Sequence, residues 1–117
     1  MKKEEINNYA NQLAVQMRKG MLAYCVLTVC ADGAVYTSDI IQRMHEAELM
    51  VVEGTVYPLL SRLRKDGLLR HEWQESVQGP PRKYYQITDE GREVMKALQK
   101  RNNELQKTVQ LLEKGTK

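Results

Sequence analysis

A short stretch near the middle of the chain carries residues whose types and spacing could bind a polyanion. At 100° per residue, one narrow sector of a helix collects four apolar side chains that we expect to be buried: Val56, Leu59, Leu60 and Leu63. The opposite face carries small residues, a hydroxyl group and positive charge: Gly54, Pro58, Ser61 and Lys65, with Tyr57, Arg62 and Arg64 on its flanks. Taken alone, this face favours an ordinary amphipathic helix with a solvated outer side. Because two strands and a Gly/Pro-rich hairpin follow it, the stretch is also a candidate DNA-recognition helix.

A second cationic group follows at the tip of a predicted hairpin. Residues 69–75 alternate between apolar and polar side chains, which is typical of a strand, and residues 82–87 read as the returning strand. Residues 76–81 between them include Gly79, Pro80 and Pro81, and predict a turn. Arg82 and Lys83 therefore lie near the tip of a hairpin directly after a basic helix, as in the wing of a winged helix.

The elements before the basic helix complete a helix-turn-helix. The pattern predicts a first helix from about Tyr9 to the turn at Asp32-Gly33, followed by a short extended link over residues 34–36. A second helix begins with Thr37 or Ser38 as its cap and ends near Leu49. A short connection then leads to the basic helix, which gives the helix-turn-helix order.

Two starting points are open for the basic helix. With Thr55 as the cap, Pro58 falls in the first turn, where its missing N–H costs nothing. With a start at Glu53, Pro58 removes one helical hydrogen bond. In both cases Asp66-Gly67 is expected to end the helix, because glycine suits the left-handed position after a C-terminus.

The last helix carries a heptad pattern. Thr88 is its predicted cap, and the pattern runs to about Lys114 with apolar residues and one asparagine at alternating three- and four-residue spacing: Met95, Leu98, Asn102, Leu105, Val109 and Leu112. The first helix also has more apolar surface than a small domain covers, at Leu13, Met17 and Met21. Pairing with a second chain through both helices is the favoured interpretation, and folding back onto the same domain is the alternative.

Composition limits the classes of function. With 117 residues, 42% of them hydrophobic, and a net charge of +3, the chain predicts one globular domain with a modest core. Residues 36–87 hold seven Lys/Arg and seven Asp/Glu, so any basic surface must come from local clustering. His45 and His71 lack obvious partners, so we expect no enzyme, no metal and no cofactor.

The two cysteines indicate the compartment. Cys25 and Cys30 point about 140° apart on one helix and cannot form a disulfide with each other. Buried thiols in a reducing cytoplasm are the favoured interpretation, with a redox sensor as the alternative. The apolar run from Met21 to Ala31 is too short to span a bilayer, so no membrane partner is expected.

Four segments of the sequence resemble motifs of a known protein family. They are Gln16-Met-Arg-Lys-Gly20, Glu53-Gly-Thr-Val-Tyr-Pro-Leu-Leu60, Arg62-Leu-Arg-Lys-Asp-Gly-Leu-Leu69 and Gly79-Pro-Pro-Arg-Lys-Tyr-Tyr-Gln-Ile-Thr88. In these segments the chain resembles the PadR family of bacterial transcriptional regulators, particularly its small members with one C-terminal helix. It departs from the family at Val52, where a polar cap is frequent, and at Val35-Tyr36-Thr37, where a glycine-containing string is frequent.

The resemblance implies a mainly α fold with a small antiparallel β-wing, built as a winged helix-turn-helix with an N-terminal helix and a long C-terminal dimerisation helix. Residues 1–117 would form a single unit, with a DNA-binding domain over residues 9–88 and a dimerisation helix over residues 89–114. It also implies a homodimeric repressor on a pseudo-palindromic operator, and release by a small hydrophobic or aromatic effector. A winged-helix adaptor that binds other proteins is the rival function.

Site residues follow from combining the resemblance with the outer face of the basic helix. Phosphate contacts are expected from Arg62, Arg64, Lys65, Arg82 and Lys83, with Gly79 at the wing tip. The wing tip is expected to lie along the DNA backbone or in the minor groove, with Arg82 as the inserted side chain. Base edges or sugars are expected to be approached by Thr55, Tyr57, Pro58 and Ser61. Trp73, the single tryptophan, is expected to lie in the core, with ligand stacking as the alternative.

Overall fold

Four helices and three short strands make up the chain. The computed structural model describes residues 1–75 and 79–115. The elements are α1 (Lys3–Cys30), β1 (Val35–Tyr36), α2 (Thr37–Glu46), α3 (Glu53–Lys65), β2 (Leu69–Gln74), β3 (Arg82–Ile87) and α4 (Asp89–Lys114). The predicted fold class, mainly α with a small antiparallel sheet in winged-helix order, is confirmed.

The hydrophobic core lies where the second half of α1 meets α2, α3 and one face of the sheet. Its buried side chains include Val26, Leu27, Ile40, Met44, Val56, Leu60, Leu63, Leu69, Tyr85 and Ile87. The apolar stripe predicted for α3 thus faces inward, with Val56, Leu60 and Leu63 buried and Leu59 partly buried. This orientation leaves the basic face of α3 outward.

The sheet has the order β1-β3-β2, and both pairings are antiparallel. Leu69 lies opposite Ile87 in the β2–β3 pair, and Val35 lies opposite Tyr85 in the β1–β3 pair. The sequence predicted β2 and β3, but for residues 34–36 it predicted only a short extended link and no strand partner was named. Two residues give too little pattern to reveal a partner, and only the fold brings them beside β3.

The first two helices begin earlier than predicted. α1 starts at Lys3 rather than near Tyr9, and Glu4 and Glu5 in its first turn suit the positive end of the helix dipole. α2 is capped by Tyr36 rather than by Thr37 or Ser38, since the Tyr36 N–H donates to Asp39 Oδ2 at 3.2 Å. The capping residue is shifted by one position because Asp39 supplies the acceptor from within the helix.

The start of α3 resolves the alternative at Pro58. The helix begins at Glu53 after Val52, so Pro58 lies inside it and the Gly54 carbonyl lacks its usual i+4 donor. The predicted end is confirmed: Gly67 adopts φ 82°, its N–H donates to the Arg64 carbonyl at 3.0 Å, and Leu68 donates to the Leu63 carbonyl at 2.9 Å.

A tight junction joins the end of α3 to the start of α4. Thr88 caps α4 as predicted, because its Oγ1 accepts from the Gly91 N–H at 3.0 Å. The same oxygen donates to the Gly67 carbonyl at 2.7 Å. Gly91 is buried against Leu68, and a Cβ there would overlap the Leu68 carbonyl oxygen. This close approach explains why the position is glycine, which the sequence pattern did not indicate.

α1 and α4 both carry apolar side chains that the rest of the chain leaves exposed. They are Ile6, Leu13 and Met17 on α1, and Leu105, Val109, Leu111 and Leu112 on α4. With 28 residues and an 18-residue window of mean hydropathy 1.2, α1 is also long and apolar enough to cross a membrane by length and composition. The sequence prediction considered only the apolar run from Met21 to Ala31, which is shorter than α1. Val26 and Leu27 on the same helix are fully buried, as in a core helix.

Candidate nucleic-acid interface

The outer face of α3 is divided between two neighbouring grooves. Tyr57, Pro58, Arg62 and Lys65 are exposed, and Thr55, Ser61 and Arg64 are partly buried. All seven had been predicted as DNA contacts. Helical geometry places Thr55, Pro58 and Arg62 on one flank, Tyr57 and Arg64 on the other, and Ser61 and Lys65 between them.

The first flank faces α1. Thr55, Pro58 and Arg62 line an open groove of about 550 Å³ together with Lys19 and Gly20. Lys19 was not a predicted site residue, because sequence position on α1 does not show which part of α3 it will face. The groove adds a cation beside Arg62, and it brings the Gln16–Gly20 segment next to the basic helix.

The second flank faces the wing. Tyr57 lines an open cleft of about 440 Å³ with residues from β1, α2, β2 and β3: Tyr36, Thr37, Ser38, Trp73, Arg82, Lys83 and Tyr85. The structure therefore brings Tyr57 together with Arg82 and Lys83, three of the predicted contacts. Gly79, at the wing tip, is exposed with φ 109°. The start of the predicted turn, at residues 76–78, lies outside the described residues.

Both wing cations lie over aromatic rings in this cleft. The Arg82 guanidinium carbon is 5.0 Å from the centre of the Tyr36 ring, and Lys83 Nζ is 5.1 Å from the centre of the Trp73 ring. Tyr36 in turn packs against Tyr84, with the two rings tilted by 36° and their centres 3.6 Å apart. Cation–π contacts of this kind restrict long side chains without neutralising them.

Trp73 is not in the core, and the expectation that it would be is wrong. Its residue surface is 63% exposed. Alternation did predict its face, since Trp73 shares the face of Leu69 on β2, and Leu69 is buried. The strand, however, continues past the part of the sheet that the helices cover, so the indole borders the cleft instead.

Arg64 lies closer to the sheet than the other cations of α3. Burial raises the pKa of the Tyr85 hydroxyl, and the Arg64 charge opposes that rise. Desolvation lowers the pKa of His71, and the charges of Lys83 and Arg64 lower it further. The His71 Nδ1 is buried without a hydrogen-bond partner in the described structure. Arg62 and Lys65, which are exposed, are therefore better placed for phosphates than Arg64.

The other side chains that could react or bind a metal either make structural contacts or are shielded by burial. His45 Nε2 lies 2.8 Å from the Val51 carbonyl oxygen, and Arg43 bonds Asp32 at 2.9 Å. Cys30 is buried, and burial raises the pKa of its thiol to about 12. Burial also raises the pKa of Cys25. Within residues 1–75 and 79–115 there is no cluster of three metal-ligating side chains.

The predicted dimerisation residues fall into two groups. Met95 and Leu98 pack against the core of their own chain, and Met21 and Asn102 are partly buried. Leu13, Met17, Leu105, Val109 and Leu112 are exposed. The heptad stripe of α4 therefore covers its own domain over its first turns and lies open over its last ones. The fold-back interpretation therefore holds for the first turns of α4, and pairing of the exposed turns with a second chain stays a prediction.

Comparisons with known proteins agree with this geometry. Residues 26–97 match the model of the transcriptional regulator PadR-like family. The transcriptional regulator Rv3488 of Mycobacterium tuberculosis is 39% identical over 67 residues, which are 57% of this chain, and the match spans 62% of that curated relative.

Two solved structures extend the match over most of the chain. A PadR-like transcription factor from Bacteroides fragilis is 50% identical with a TM-score of 0.74, over 86% of this chain and 98% of its own. A PadR family transcriptional regulator from Eggerthella lenta has a TM-score of 0.90 at 27% identity, over 96% and 98%.

Proposed function

Because the chain belongs to the PadR-like family of transcriptional regulators, which are DNA-binding proteins and not enzymes, we propose that it represses transcription as a homodimer on a pseudo-palindromic operator. One observation carries the proposal. Tyr57 on the outer face of α3 and the two wing cations border the same open cleft, so a single DNA duplex can contact both α3 and the wing. We place this activity in the cytoplasm.

In this proposal α3 enters the major groove and the wing follows the adjacent backbone. Tyr57, Ser61 and Thr55 approach base edges or sugars, and Pro58 keeps the surface lean between them. Arg62, Lys65, Arg82 and Lys83 neutralise phosphates, with Arg64 contributing from the edge of the sheet and Gly79 at the wing tip. The winged unit over residues 9–88 thus binds DNA, and residues 89–114 dimerise.

Dimerisation is supported by the exposed apolar residues of the two long helices. Leu13 and Met17 on α1, and Leu105, Val109 and Leu112 on α4, are large apolar side chains that stay exposed along regular helical stripes. Met21, Met95, Leu98 and Asn102 extend the same stripes toward the core. A two-fold axis through these helices would set two copies of α3 about 34 Å apart, one turn of DNA.

The test is selection of bound duplexes from a random pool, followed by gel-shift measurements on the selected site. Tyr57→Ala and Lys65→Ala are expected to weaken binding while sedimentation still shows a dimer. Lys100→Ala is the matched control, because Lys100 is an exposed cation on α4 away from α3. Unchanged affinity for both α3 variants would refute the assignment of the recognition helix. Failure to enrich any sequence, even at low salt, would favour the protein-binding adaptor.

A small hydrophobic or aromatic effector is part of the proposal. An open cavity of about 500 Å³ between α1 and α2 is lined mainly by apolar side chains, including Met21, Tyr24, Cys25, Met44 and Leu49. Tyr24 supplies a ring that α4 does not. Release of the selected duplex by a planar phenolic compound, lost in Tyr24→Ala, would support this site. Release that persists in the variant would place the effector elsewhere.

A further inference from the structure

The wing cations of this protein lie on two aromatic platforms, and we propose that Tyr36 and Trp73 hold Arg82 and Lys83 as a clamp on one sugar–phosphate strand of duplex DNA. These four residues are the wing clamp. The inference rests on the proposed function and adds two positioning residues, Tyr36 and Trp73, to the contacts assigned above.

Strand geometry separates the two cations. Successive residues of β3 point to opposite faces of the sheet. Lys83 lies opposite Trp73 on the face that continues into Tyr85 and the core, whereas Arg82 lies over Tyr36 on the other face. The two positive charges therefore lie on opposite faces of β3.

The short length of β1 leaves this part of β3 accessible. β1 pairs only with Tyr84 and Tyr85, so the pairing ends before Arg82 and Lys83. The open cleft lies at this point, between the wing, the start of α2 and Tyr57 of α3. A strand of DNA that passes between α3 and the wing would meet both cations.

The chemistry of the cleft matches a nucleic-acid backbone. Four aromatic rings and two cations line it, and none of its described lining residues carries a carboxylate. A DNA strand alternates anionic phosphates with largely apolar deoxyribose rings. Cations complement the phosphates, and exposed ring surface complements the sugars.

The platforms also explain the exposure of Trp73. An indole that is 63% exposed gains little from burial in this chain, but the Lys83 ammonium lies 5.1 Å from its centre. Tyr36 has more contacts, since its ring packs against Tyr84 and its backbone N–H donates to the Asp39 carboxylate. Each ring limits the positions of its cation before DNA arrives, which lowers the entropy lost on binding.

Trp73 supplies a direct readout, because the chain has one tryptophan. Titrating the full-length protein with its selected duplex is expected to change Trp73 emission in step with the gel-shift curve. Trp73→Leu and Tyr36→Leu are each expected to weaken binding about two- to five-fold, the range for an exposed cation–π contact. Trp73→Phe, which keeps a ring, is expected to recover most of that loss.

Double-mutant cycles separate positioning from simple contact. Trp73→Leu is expected to have little further effect once Lys83→Gln is present, and Tyr36→Leu little once Arg82→Gln is present. Each cation variant is expected to reduce the slope of log affinity against log salt by about one. Arg70→Gln is the control, because it removes an exposed cation of the same sheet that lies outside the cleft.

The outcomes distinguish the two proposals. Wild-type protein that binds no duplex would overturn the proposed function. A complex that forms with unchanged Trp73 emission and additive effects in both cycles would overturn the wing clamp alone. Circular dichroism on every variant establishes that lost binding does not come from lost folding.

Discussion

The core of the winged domain and the far half of α4 use the same apolar residue types to different ends. Leu60 of α3 is 0% exposed, whereas Leu112 of α4 is 68% exposed. Both belong to regular helical stripes, so their local patterns look alike. The difference lies in whether another element of the same chain reaches that stripe.

This contrast separates folding from association. Side chains such as Leu27, Leu60 and Leu69 are enclosed within one chain and stabilise it directly. Leu105 and Leu112 gain nothing comparable until a second surface covers them. Substitutions in the first group should change the free energy of unfolding of any single chain. Substitutions in the second group should change the protein concentration at which two chains associate.

The largest effect is expected in the core. Leu60→Ala should lower the free energy of unfolding by about 2 to 5 kcal/mol, because it removes buried methyl groups and leaves a cavity. Urea unfolding followed by circular dichroism measures the change. Leu111→Ala is the control, since Leu111 is 62% exposed and lies off the heptad stripe. Equal losses in the two variants would contradict the division into regions.

Gly91 should be nearly as sensitive. Gly91→Ala places a Cβ against the Leu68 carbonyl oxygen, and we expect a loss of about 1 to 3 kcal/mol from the forced backbone shift. Gly20→Ala is the contrasting variant, because nothing lies within 4 Å of a Cβ there. It should stabilise α1 by about 0.5 to 1 kcal/mol. A destabilised Gly20→Ala protein would instead show that a second chain approaches α1 closely.

Substitutions in the exposed apolar stripe of α4 should weaken association between chains. A Leu105→Ala, Leu112→Ala double variant should dissociate at roughly ten- to a hundred-fold higher concentration, as expected for about 1.4 to 2.8 kcal/mol of lost contact. Sedimentation over a concentration series measures this shift. The melting temperature of the wild type should rise with protein concentration. Identical sedimentation of the two proteins would mean that the stripe is not an interface.

The smallest effect is expected at the edge of the winged domain. Desolvation, followed by the charges of Lys83 and Arg64, lowers the pKa of folded His71 below its ordinary 6.5. Between the pKa of folded His71 and about 6.5, the unfolded chain therefore binds more protons than the folded chain. The free energy of unfolding should accordingly fall as the pH drops below about 6.5. His71→Gln should flatten this dependence in thermal melts. A His71 ring signal that titrates at or above 6.5 in NMR would contradict the assignment.

Much of this molecule follows from local sequence signals. Thr88 and Asp66-Gly67 mark helix ends through short-range hydrogen bonding and backbone geometry, and the structure confirms both. The inward face of α3 follows from four apolar positions at helical spacing. Each of these depends on residues within about two helical turns of each other.

The features that the sequence did not predict depend on contacts between distant segments. The pairing of β1 with β3, the exposure of Trp73 and the packing of Gly91 against Leu68 each join parts of the chain that no short pattern relates. Alternation assigned Trp73 to a face but could not show where the cover on that face ends. For the same reason Tyr36, Trp73 and Lys19 were missed as neighbours of the basic helix.

The junction at Thr88 connects the start of α4 directly to the end of α3. One hydroxyl bonds both the chain leaving α3, at Gly67, and the first turn of α4, at Gly91. α4 has 26 residues, so at 1.5 Å per residue its far end lies about 39 Å away. A rotation of about 5° at this junction would move that end by about 3 Å, close to the rise of one base pair. In the proposed homodimer, a small change in how the two copies of α4 cross would therefore change the operator spacing that the two copies of α3 fit.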